Sequence, residues 1–229
     1  MKDLLEIKDI SYGEFPEISG LNPRFRPDSQ KVKVTLDIQL PEVTDNADLS
    51  SVLMKLKKLL PTLEKHQCGE HLFDNLKPGI KTSQVNQRFS SCSCHSDKIT
   101  DIAHLMEHVI IDLQSTITGM SSCSGITCGY KIPDYRFDMF VECKDKSVGW
   151  FSVFFTVDMF KKLLESKHLP KNGQHLIYLA RYLYQNKSRQ KQNELDPQTG
   201  HLSKELGINQ NSLHLLLRQL REYGFFNLN

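Results

Sequence analysis

The apolar positions change period several times along the 229-residue chain, and each period predicts an element. In "KVKVTLDIQL" (31–40), Val32, Val34, Leu36, Ile38 and Leu40 alternate with polar residues. That is a half-buried strand, ended by Pro41. In "ADLSSVLMKLKKLLPTLEKH", Leu49, Val52, Leu53, Leu56, Leu59 and Leu60 recur at helical spacing, with Pro61 marking a kink or a new turn. Residues 69–100 show little periodicity and read as loop with room for one short helix. Asp101 reads as the cap of a helix whose core face is Ile102, Leu105, Val109 and Leu113, closed by Gly119. "MSSCSGITCGY" reads as a small-residue loop. "YRFDMFVEC" and "WFSVFFTVDMF" are both rich in aromatic and β-branched residues. Joined by "KDKSVG", they predict a β-hairpin, after which "DMFKKLLES" turns helical.

Beyond the linker-like "KHLPKNGQ" the pattern is all helical. "GQHLIYLARYLYQ" is one amphipathic helix and "NKSRQKQNELDPQTG" a polar loop. "HLSKELGINQNSLHLLLRQLREYGFF" has a helix-turn-helix pattern. A short helix carries Leu202 and Leu206, and a turn follows at Gly207, Ile208 and Asn209. A longer helix then turns Leu213, Leu216, Leu217 and Leu220 inward, with Gly224 at its end. The expected architecture is an α+β domain with antiparallel strands over residues 1–166. A small all-α helix-turn-helix, winged-helix-like domain follows over 170–229.

Composition narrows the functional classes. The chain is 39% hydrophobic and 24% charged, which suits neither a disordered chain nor a fibre. No apolar run reaches the roughly 18 residues of a membrane span, and "MKDLLEIKDISYGEF" is not a secretory signal. Six cysteines in such a chain point to thiols or metal ligands rather than a disulfide framework, so a cytoplasmic protein is expected. The net charge of +2 is uneven: residues 170–229 hold eight basic and four acidic side chains, the rest 21 and 23. An anionic partner is expected for the tail alone.

The chemistry concentrates in "HLMEHVIIDLQ". His104 and His108 are four apart, one above the other on a helix and about 6 Å apart along its axis. Glu107 lies beside them, in the H-x-x-E-H order of inverted zincins. Two neutral imidazoles can chelate Zn²⁺, and a neighbouring carboxylate can take a proton from water activated by the ion. The same spacing also suits an ordinary amphipathic helix with polar residues on its edge. A catalytic zinc needs a third ligand, for which Cys68 in "LPTLEKHQCGE" is the candidate. "CSCH", with Cys92, Cys94 and His95, could instead join Cys123 and Cys128 in a closed structural site.

Taken in order, these stretches resemble the N-terminal domain of cyanophycin synthetase. "LPTLEKHQC" is similar to that family's Leu-Pro-x-Leu-x-x-His-x-Cys. "IAHLMEHVIIDLQ" is similar to its H-x-x-E-H-x-x-x-E-L-Q helix, with Asp112 in place of Glu. "TGM" follows, then "YRFDMFVECKDKSVGWFSVFFTVDMFKKLL" matches a closing strand–turn–strand–helix. The resemblance covers about residues 30–166. It implies a metal-dependent hydrolase site, found in some family members, with Cys68, His104 and His108 as zinc ligands and Glu107 as base. The family's arginine-rich loop is replaced by "SSCSGITCGY", with Ile126 and Cys128 where arginines would fall. No ATP-dependent ligase portion is present, so ligase activity is not expected.

Two functions are therefore expected to compete. One is a zinc hydrolase of a peptide or amide bond, with Asp112 orienting the ring of His108. The other is a regulator that binds duplex DNA through the tail, its N-terminal domain sensing a metal or small ligand. In the tail, Asn209, Gln210, Asn211, Ser212 and His214 would meet base edges, and Lys204, Arg218 and Arg221 phosphates. A protein-docking role suits the same helices. The sequence leaves the oligomeric state open.

Overall fold

The computed structural model describes residues 3–16, 18, 26, 28–40, 49–63, 94–166, 168–186 and 196–226. Four strands form one antiparallel sheet in the order β1-β2-β4-β3: β1 (Leu5–Gly13), β2 (Lys31–Ile38), β3 (Gly125–Gly129) and β4 (Arg136–Glu142). On β2, Val32, Val34, Leu36 and Ile38 all point into the core, as the alternation requires. Phe137, Met139 and Val141 of β4 join them. The opposite face is polar at its centre. Arg136 forks onto Asp37 at 2.6 and 2.9 Å, and Asp138 accepts from Thr35 (2.7 Å) and pairs with Lys33 (3.1 Å).

The inner face is covered by α2 (Cys94–Thr118) and α3 (Lys146–Ser166), with α1 (Leu49–Leu59) contributing Val52, Leu53, Leu56 and Leu59 to the same core. Several elements differ from the sequence pattern. Helix α2 begins at Cys94, so Asp101 lies inside it rather than at its N-cap; the polar stretch "CHSDKIT" is helical without an apolar stripe to reveal it. "GITCG" is a strand rather than loop. The expected hairpin is a strand followed by a helix: "WFSVFFTVDMF" lies within α3, whose Val148, Phe151, Ser152, Val153, Phe155, Thr156, Val157, Met159 and Phe160 are all buried. A helix wrapped on nearly every side carries apolar residues all round, so its composition reads like a buried strand.

Three helices complete the chain: α4 (Gly173–Gln185), α5 (Asp196–Glu205) and α6 (Gln210–Glu222). Helix α5 starts inside the stretch expected to be polar loop. At its end Gly207 takes φ +64, with Ile208 N–H donating to the Ser203 carbonyl and Gly207 N–H to that of Lys204. That is a glycine C-cap that satisfies the last carbonyls. Asn209 then caps α6 by accepting from the Ser212 N–H at 2.8 Å. The tail packs on α3: Gly224 sits against Trp150, Phe225 meets the Phe151 ring edge-on, and Tyr223 O–H donates to Asp158 at 2.7 Å. Among the described residues, no helix is long and apolar enough to cross a membrane.

Candidate active site

Helix α2 lies against β3 and β4, and its buried face would be apolar throughout but for a run of polar side chains in its middle. Glu107 is 4% exposed, His108 5% and Asp112 1%. Groups of this kind cost several kcal/mol to bury unless something meets them. Glu107 and His108 are met as follows. The Thr127 hydroxyl of β3 donates to Glu107 Oε2 at 2.6 Å. The imidazoles of His104 and His108 stack, with ring centres 4.9 Å apart and Nε2 to Nε2 at 3.2 Å.

That last distance is informative. Two nitrogens bound tetrahedrally at about 2.0–2.1 Å from one zinc ion lie about 3.3–3.4 Å apart. The helix alone has brought the two ring nitrogens to nearly that bite. Burial pushes His104 down to about 4, so its ring is neutral at pH 7 and keeps the lone pair a metal needs. The donor set fits zinc in type, charge and spacing.

Glu107 is held by shape as well as by hydrogen bonding. A β-carbon on Gly125 would fall 2.3 Å from Glu107 Oε1 and 2.9 Å from its Cγ and Cδ. Glycine at 125 is what lets the carboxylate lie on the β3 backbone beside Thr127. Sequence reasoning missed both residues. "GITCG" shows neither alternation nor a motif, and its meaning depends on a helix 18 residues upstream.

The remaining candidates divide clearly. Cys68 and Cys92 lie outside the described residues, and of Cys94 and His95 only their place in α2 is described. Among the described residues, no three His, Cys, Asp or Glu side chains cluster as a metal site would. Of the structural-zinc alternative, the structure describes the surroundings of Cys123 and Cys128 alone. Cys128 packs with Ile126, Ile18 and Phe140 in a small cluster of its own. Cys123 packs against the main core and donates to the Glu142 carbonyl. Burial pushes the Cys128 thiol up to about 12 and the Cys123 thiol well above its usual range.

In the tail, α6 points Leu213, Leu216 and Leu220 inward, and Leu217 is half-buried. Gln210, Asn211, His214, Arg218 and Arg221 are exposed on α6, and Lys204 is exposed at the end of α5. Asn211, Arg218 and the 62% exposed Leu215 fall opposite the core face. Three of the candidates have other partners. The Asn209 side chain is engaged in the cap, and Arg218 pairs with Glu222 at 3.1 Å. Arg221 lies over the Phe226 ring and Ser212 is half-buried.

Comparison with known proteins gives one positive result. The model of the cyanophycin synthase-like N-terminal domain matches residues 33–165, more than half of the chain. No curated protein and no solved structure matches.

Proposed function

Since the chain belongs to the cyanophycin synthase-like N-terminal domain family, we propose that it is a zinc-dependent hydrolase of a peptide or amide bond. The observation that carries the reading is the 3.2 Å approach of His104 and His108 Nε2 beside a buried, hydrogen-bonded Glu107. His104 and His108 would hold the ion, with Cys68 completing the set. The ion would supply Lewis acidity toward water and toward the carbonyl oxygen. Glu107 takes one proton from the attacking water as the new C–O bond forms at the carbonyl carbon. It returns that proton to the nitrogen as the C–N bond breaks, leaving an acid and an amine. Thr127 keeps the carboxylate aimed throughout.

The test is elemental analysis of protein purified without added metal, paired with hydrolysis of a peptide library. About one zinc per chain is expected, and His104→Ala should lose it. Glu107→Gln should keep zinc and fold but lose about 10²–10⁴-fold in rate. Zinc that survives His104→Ala but disappears with Cys92→Ser would move the metal to the cysteine loop. Neither zinc nor hydrolysis in the wild type would end the hydrolase reading.

A second reading rests on α6. Its exposed face carries amides at its start and Arg218 opposite the core, which suits a helix laid in the major groove of duplex DNA. In this reading the tail is a winged-helix-like module that binds DNA, or a protein partner, and the metal pair serves as a sensor in a transcription regulator.

A further inference from the structure

Strand β3 ends the sheet, since the order β1-β2-β4-β3 leaves it paired with β4 alone among the described residues. The register sets which of its main-chain groups are spent. Gly125 faces Val141, Thr127 faces Met139 and Gly129 faces Phe137. At the two ends, Glu142 N–H donates to the Ser124 carbonyl at 2.8 Å and Tyr130 N–H to the Arg136 carbonyl at 2.9 Å. In an antiparallel ladder every second pair exchanges hydrogen bonds. Ser124, Ile126, Cys128 and Tyr130 therefore bond inward to β4. The N–H and C=O groups of Gly125, Thr127 and Gly129 point away from β4, to the edge.

Those outward-facing residues belong to the same alternation that meets Glu107. Thr127 donates its hydroxyl to the carboxylate, and the Gly125 α-carbon lies beneath it. A row of main-chain donors and acceptors that no described strand pairs with thus runs beside the group that would move the proton. Glycines at 125 and 129 let the side chains of Glu107 and Phe137 lie against the two ends of the row.

We propose that the edge of β3 takes the substrate's main chain as an added strand. The enzyme would then recognise an extended polypeptide backbone, about four to five residues long at about 3.4 Å per residue. The inference rests on the hydrolase reading, because it is the position of Glu107 that makes this edge a substrate site rather than a bare rim. An added strand lies about 4.8 Å from β3, which would bring the ligand's main chain alongside the strand that holds Glu107. Side chains of the ligand would alternate between that face and the Ile126–Cys128 face. Main-chain N–H groups would be required at every second ligand residue, and proline would be excluded there.

The test uses the zinc-loaded full chain and two probes: acetohydroxamic acid, and a panel of hexapeptide hydroxamates spanning the side-chain classes. The tightest hexapeptide is then N-methylated at one amide at a time. The expected result is binding at least tenfold tighter than acetohydroxamic acid. N-methylation should weaken it about three- to tenfold at alternate residues and little between them. Hydrogen exchange at the Gly125, Thr127 and Gly129 amides should slow on binding. If acetohydroxamic acid binds but the peptide adds nothing, or N-methyl sensitivity does not alternate, the edge proposal is overturned and the metal site stands. If neither probe binds, the hydrolase reading fails and takes this proposal with it.

Discussion

Gly125→Ala asks the structure a narrow question. The new methyl would sit 2.3 Å from Glu107 Oε1, far inside van der Waals contact, and the nearest atoms all belong to the Glu107 side chain. The backbone of β3 need not move, because the far end of one side chain can swing away. When it does, the 2.6 Å hydrogen bond from Thr127 is lost. A bond to a charged group is worth about 1.5–3 kcal/mol, and residual overpacking adds about 1 kcal/mol. A loss of about 2–4 kcal/mol corresponds to a drop of roughly 5–15 °C in melting temperature for a chain of this size. Gly13→Ala is the control: a β-carbon there meets nothing within 4 Å, and its melting temperature should move by less than about 2 °C. Zinc content should be unchanged in Gly125→Ala, since the His104–His108 spacing comes from α2 alone. Hydrolysis should fall as far as in a variant lacking the carboxylate. A melting temperature for Gly125→Ala as close to wild type as that of Gly13→Ala would refute the packing of Glu107 on β3, and with it the positioning argument.

Three further outcomes follow from named contacts. Asp112→Asn, one turn beyond His108, should weaken zinc affinity about 10–100-fold in a chelator competition while leaving more activity than Glu107→Gln. In mobility-shift assays on the full chain, Arg218→Ala should weaken DNA binding about equally for all sequences, whereas Asn211→Ala should change sequence preference; no shift at low salt with any genomic fragment would leave the tail a protein-docking module. The Arg136 fork holds the Asp37 carboxyl below its usual range, against the opposing effect of burial. Its contribution is therefore present above about pH 4 and is lost as pH falls through the lowered value. Asp37→Asn should cost about 1–2 kcal/mol in urea unfolding at pH 7 and distinctly less at pH 3.

Where the sequence was legible, apolar residues lined one face of an element and polar residues the other. β2 and α6 show this, their apolar residues falling at periods of two and 3.6. Where it was not, tertiary contacts had replaced the pattern. β1 alternates at Leu5 and Ile7, but an irregularity in pairing between Ile7 and Asp9 shifts the phase, so that Ile10 and Tyr12 resume on the other parity. α3 has no polar face to give it a period. The pairing of His104 and His108 was legible because both sit on one helix and the spacing is local. The partners of Glu107 were not, since a threonine and a glycine become meaningful only once β3 is laid against α2.

The change of pattern after Ser166 is a feature of the sequence that buried packing does not respect. Trp150, Phe151 and Phe155 lie on α3, yet Tyr223, Gly224 and Phe225 pack against them from beyond α6, and Leu176, Ile177, Leu179 and Leu183 of α4 enter the same buried cluster. The ordinary end of a helix-turn-helix pair is a free surface; here a second glycine cap, Gly224 at φ +78 with Phe225 N–H donating to the Leu220 carbonyl, folds the chain back onto α3. Helix α3 in turn packs on α2, which carries His104, Glu107 and His108. Only rigid elements joined by close packing lie between the two candidate functions. Core packing has discrete arrangements rather than a continuum of them. A partner that displaced Tyr223 from Asp158 would therefore disturb the helix against which the site helix rests, whereas one bound to the outer face of α6 would leave it as it is. A partner docked on the exposed face at Asn211, Leu215 and Arg218 would leave closed the core that the tail shares with the site helix.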